Sequence, residues 1–126
     1  MSKVKTDKSA FEKLHNEWLT NLYAMEEELV HTDSVTKQLQ NTVNDLQYQH
    51  HLNELRNQIL MQTGMLRALT DEILVWRKTF IEREDKKMIT LPELIQNNAV
   101  RDKVRKAEQA VFLLKYQVSK LLSLAS

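Results

Sequence analysis

Two Glu-x-x-His pairs stand in the first third of the chain, Glu12 with His15 and Glu28 with His31. In helical bundles such pairs build di-iron sites, because side chains at i and i+3 share a face and carboxylates from neighbouring helices complete the ligand set. Here both pairs fall on one expected helix. Their sixteen-residue offset separates them by about 24 Å along the axis and about 160° around it. A single metal pair cannot be shared between them within one copy, although carboxylates of a facing helix or a second copy could complete a site. His51-x-x-Glu54, beside His50, is a further candidate, with His15 able to approach from another helix. Adjacent histidines point about 100° apart, so only one of His50 and His51 faces any given partner. Polar residues on charge-rich helices explain all these pairs more simply, and no metal, cofactor or catalytic residue is assigned.

No Gly-rich phosphate loop, no HExxH zinc motif and no Ser-His-Asp ordering occurs. An enzyme is therefore not expected, nor a small-molecule substrate. Arg101, Lys103, Arg105 and Lys106, with Lys86 and Lys87 upstream, form a basic cluster. It points in several directions around a helix and is interrupted by Asp102. A solvated face accounts for it, with nucleic-acid or acidic-protein contact as the lesser alternative.

The composition describes what must position these residues. The chain has 126 residues, 42% hydrophobic and 28% charged, with one Gly, one Pro and no Cys. So few turn formers favour helices over strands, and the length suits one domain with its own core. Without cysteine there is no disulfide or thiolate chemistry, which fits a reducing compartment such as the cytoplasm. Eighteen Lys and Arg against seventeen Asp and Glu leave a formal charge of +1, too little to draw in a phosphate backbone. The basic start MSKVKTDKSAFEKL lacks the apolar core of a secretory signal, and no run approaches the roughly 20 apolar residues of a membrane span. Neither signal nor membrane anchor is expected.

Three seams at steps of three and four follow one another. The first joins Phe11, Leu14, Trp18, Leu22, Met25, Leu29, Thr32, Thr36 and Leu39, predicting a helix over about Lys8 to Gln40. The cap-like cluster at Thr32-Asp33-Ser34 offers an alternative break, but the stripe passes through it in register. Asn41-Thr42 makes a better boundary, with Asn as a left-handed terminator and Thr42 with Asp45 resembling a capping box. The second seam joins Leu52, Leu55, Ile59, Gln62, Leu66, Leu69, Ile73, Trp76 and Phe80, on a helix from about Val43 to Glu84 whose start, at Val43 and Leu46, is out of phase. A polar connector follows at Glu84-Asp85-Lys86-Lys87. Thr90-Leu91-Pro92-Glu93 then opens a third helix reaching Ala125. Its seam is Val100, Val104, Ala107, Val111, Leu114, Val118, Leu121 and Ala125, and nothing is left over for strands.

Rods of roughly 50, 65 and 50 Å with short connections pack antiparallel, up-down-up, as an all-α three-helix bundle. The second rod is expected to overhang its partners, and the uncovered seam would favour self-association. Trp18, Trp76 and Phe80 fill core space, Gln62 fixes register by hydrogen bonding, and Gly64 permits a close approach or a bend.

Glu17-Trp18-Leu19, Asn41-Thr42, Asn57-Gln58-Ile59-Leu60 and Arg101-Asp102-Lys103-Val104 with Glu108 together resemble a family of small, uncharacterised helical proteins of Bacteroidetes. Gln40, Ile59 and the ending Leu124-Ala125-Ser126 depart from that family's pattern. The resemblance implies three helices with a turn at Asn41-Thr42 and carries no activity. The expected function is a non-enzymatic interaction or structural module, self-associating or bound to a protein partner, with a metal-binding bundle as the alternative.

Overall fold

The computed structural model describes residues 3–82 and 88–125. In chain order these form β1 (Lys3–Asp7), α1 (Lys8–Thr42), α2 (Leu46–Glu82), β2 (Met88–Thr90) and α3 (Leu91–Ala125). The three helices pack as an all-α bundle. β1 pairs antiparallel with β2, Lys3 opposite Thr90 and Asp7 opposite Met88, so α1 and α3 start at the same end. Tyr48 at the start of α2 hydrogen-bonds the carbonyl of Leu121 near the end of α3, and Arg77 near the end of α2 bonds Asn16 near the start of α1. The path is therefore up-down-up. α1 runs unbroken through Thr32-Asp33-Ser34.

Four expectations need correction. Strands do form, as a two-stranded ribbon of five and three residues, too short to leave a period in the sequence. It places Ile89, fully buried, against Phe11 and Phe80 at the end of the bundle. The first helix continues through Asn41 to Thr42, and no non-Gly residue among those described has positive φ, so Asn41 is not a left-handed terminator. The cap of α2 is Asp45, whose Oδ1 accepts from the amides of Gln47 at 2.9 Å and Tyr48 at 3.2 Å, while Thr42 donates back to the Leu39 carbonyl of its own helix. Leu46 is the first residue of α2 and faces solvent, which removes the phase conflict. Finally, α2 has 37 residues against 35 in each partner, so the three rods are nearly equal in length and not about 65 Å against 50 Å. The connector Glu84-Asp85-Lys86-Lys87 lies outside the described residues.

The start of α3 is as expected. Glu93 Oε1 accepts from the Thr90 amide at 2.9 Å and its hydroxyl at 2.8 Å, and the Thr90 oxygen faces the Glu93 amide at 3.4 Å. The three seams meet in one core containing Leu22, Leu29, Leu66 and Val104. Burying each such side chain contributes about 1.5–3 kcal/mol, most of it offset by chain entropy. Buried threonines on these faces are satisfied locally. Thr32, Thr36, Thr63 and Thr70 each donate to the carbonyl four residues back, at 2.7–2.9 Å.

Candidate functional site

Among the described residues the most enclosed titratable side chain is His15, only 1% exposed. Its Nε2–H donates to Asn97 Oδ1 at 2.7 Å, joining the starts of α1 and α3 across 82 positions of sequence. The ring lies among aromatics, with Trp76 edge-on at 4.7 Å, Trp18 tilted at 5.3 Å and Phe11 at 5.9 Å. Trp76 and Phe80, one turn apart on α2, stack at 5.2 Å and close the far side. Nδ1 is buried without a hydrogen-bond partner. Burial in this cage lowers the imidazole pKa below its ordinary 6.5, and the charge of Arg77 pushes the same way, against the Asn97 hydrogen bond and Glu12. The imidazole is therefore neutral near pH 7, and the arrangement suits a structural polar pair.

His15 was expected as a ligand candidate, with Leu14 on the seam. The structure instead seats His15 on the seam and leaves Leu14 half-buried at the edge. The signal was present, because strict alternation of four and three from Phe11 lands on His15, Trp18, Leu22 and Met25. Asn97 is likewise one step upstream of Val100 on the third seam, a position that the search for hydrophobes passed over.

The other paired residues do not converge on one another. His31 is exposed, and Glu28 is engaged by Lys115 Nζ at 2.9 Å. His50 lies 3.1 Å from Glu54, both largely exposed, and His51 is exposed beside them. Among the described residues no three His, Asp or Glu side chains gather to hold a metal ion. The basic cluster is dispersed as well. Arg101 is half-buried near Asp102, Lys103 Nζ reaches Glu72 on α2 at 2.7 Å, and Lys86 and Lys87 lie outside the described residues. Trp18 and Phe80 are core, with Trp76 packed against it. Gln62 forms no hydrogen bond among the described residues; polar contacts between α1 and α2 come from other positions. Gly64 has no neighbour within 4 Å of where a Cβ would stand, and α2 passes through it as one helix, so neither the close approach nor a helix break occurs there.

A surface of a different kind lies between α2 and α3. Three clefts walled by these two helices follow one another along the bundle. On α2, Met61, Met65, Ala68, Glu72, Val75 and Thr79 step by four and three, each immediately before a seam residue and so rotated about 100° from it. On α3, Ala99, Lys103, Lys106, Ala110, Leu113, Gln117, Lys120 and Leu124 do the same. These are second heptad stripes, and most of their apolar members are exposed. Met61, Met65 and Val75 are 67%, 58% and 67% exposed, and Leu113 56%. Isolated exposed hydrophobes are ordinary, but two aligned stripes flanking one groove are not. No helix among the described residues is long and apolar enough to cross a membrane.

No protein-family model matches the chain, and neither a curated protein nor a solved structure is similar to it.

Proposed function

We propose that the chain is a non-enzymatic helical interaction module that receives an amphipathic helix in the α2–α3 groove. The observation that carries this reading is the second stripe on each wall. Heptad spacing suits a helix as occupant, since knobs at three and four residue steps enter holes of the same spacing. A fourth rod there would turn the three-helix bundle into a four-helix arrangement and remove Met61, Met65 and Val75 from water. The methionines suit this role, because their unbranched side chains repack against varied surfaces. The buried His15–Asn97 pair acts as internal structure in this reading.

The methionines also provide the test. With 13C-methyl methionine, Met61 and Met65 report on the groove, and Met25, buried in the core, serves as the internal control. Amphipathic helices selected for binding from a displayed library are expected to shift the Met61 and Met65 methyl signals and leave Met25 in place. Selected helices that leave both groove signals unmoved, or a selection that yields no binder, would overturn the proposal.

A further inference from the structure

Resting on that reading of the α2–α3 face as an open docking surface, we infer that its partner is a second copy of this chain, laid groove to groove by a two-fold axis parallel to the helices. Within one copy Glu72 is level with Lys103, and in the antiparallel register this sets Met65 level with Ala110, Met61 near Leu113 and Glu54 near Lys120. A half-turn about an axis parallel to the rods, at the groove mouth, keeps every residue at its own height. It lays α2 of one copy against α3 of the other, antiparallel, as the two helices already lie within a chain. The large Met65 then meets the small Ala110, and Val75 meets Ala99, as interlocking rows require.

Charge selects this axis. The α2 edge carries Glu54 and Glu72, and the α3 edge carries Lys103, Lys106 and Lys120. Lys103 is engaged within the chain, whereas Lys106 and Lys120 have no ion-pair partner among the described residues. Across the parallel axis Lys120 comes level with Glu54 of the second copy, and Lys106 falls within a turn of its Glu72. A two-fold perpendicular to the rods would instead lay α3 on α3 and bring two lysine-bearing edges together, which is repulsive.

Sedimentation velocity from about 10 µM to about 1 mM is expected to show a reversible monomer–dimer equilibrium, with Met65→Glu raising the dissociation constant about tenfold or more. Circular dichroism should show both proteins equally helical, because Met65 is exposed. The chain has no cysteine, so single introduced thiols report geometry cleanly. Met65→Cys alone and Val75→Cys alone should each be joined to themselves by a short bismaleimide, because the parallel axis keeps both cleft residues at their own height beside it, whereas a perpendicular axis could bring only one of them level with its copy. A strict monomer at all concentrations, a dimer indifferent to Met65→Glu, or a dimer in which only one of Met65→Cys and Val75→Cys joins to itself would overturn the inference. None of these results decides the helix-docking reading, which stands or falls on the methyl signals of Met61 and Met65.

Discussion

On α2, the residues just after the seam positions and the residues just before them have different surroundings. Those after it turn toward α1, where four of them are engaged, while Leu60 and Leu74 on the same flank are 60% and 41% exposed. Arg56 is held by Asp33 at 2.9 Å and by Gln40 at 3.0 Å, Arg67 by Glu26 at 2.6 Å, and Arg77 by Asn16. Asn53 accepts from Gln40 on the same flank, and the Asp33 carboxylate raises the Arg56 pKa further above its ordinary value. Those before it turn toward the α3 side and are Met61, Met65, Ala68, Glu72 and Val75. Among them Glu72 alone makes a side-chain bond to α3 among the described residues, to Lys103. Four polar side chains, at Asn53, Arg56, Arg67 and Arg77, close one flank of the same helix onto α1, and Glu72 alone reaches across the other, which is left open. Polar closure fixes a neighbour already present, whereas exposed heptad hydrophobes raise the free energy of the isolated bundle and lower it when a partner helix arrives.

Adjacent residues provide the largest test of this contrast. Leu66 is fully buried and Met65 is exposed, so Leu66→Ala should lower unfolding stability by about 2–5 kcal/mol and Met65→Ala by under about 0.5 kcal/mol, read by urea denaturation at a concentration where the chain is monomeric. Comparable losses at both positions would erase the distinction between covered and open faces.

At the end of the bundle, Asn97→Ala leaves both ring nitrogens of His15 without a partner and should cost about 1–3 kcal/mol. The same cage sets a pH dependence. The folded state lowers the His15 pKa below the unfolded value of 6.5, so above that value both states are neutral and the stabilisation is complete. As pH falls from about 7 toward 5 the unfolded chain binds the proton first, and stability drops until the folded imidazole also titrates. Melting temperature should therefore decline over that window in the native chain, and His15→Phe should flatten the slope.

On the closed flank, Arg56→Ala should cost about 1 kcal/mol, since its guanidinium and Asp33 are 29% and 25% exposed. Lys103→Ala on the open flank should cost under about 0.5 kcal/mol, the pair being more exposed. Thermal unfolding of both variants in low and high salt would check the ranking. One substitution should instead stabilise the chain. Gly64 lies on neither flank and faces open space, so Gly64→Ala should raise stability by about 0.5–1 kcal/mol through helix propensity, and a loss would mean that the site is more crowded than it stands here.

Much of the architecture was legible. Leu22, Leu29, Leu66, Val104 and Val111 are buried as their spacing required, and the Thr90–Glu93 cap formed as its residues dictate. Both features depend on relations within a turn or two, which sequence carries directly. The site was less legible. His15 was weighed as a ligand because its type suggests coordination, yet its place in the four-three alternation assigns it to the core. The stripe of Met61, Met65, Ala68 and Val75 was readable in the same alternation but was hidden behind the stronger seam one residue away.

By itself, the order of residues determined three amphipathic rods, where the third begins, and which side of each must leave water, because helix periodicity and capping act over a few neighbouring positions. Only the tertiary structure decided that His15 meets Asn97, that two short strands bring Ile89 over the end of the core, and that the groove beside α3 stays open while the flank beside α1 is closed. Each of these depends on the relative height and rotation of rods far apart in the chain, and those are set by the packing of all three seams at once.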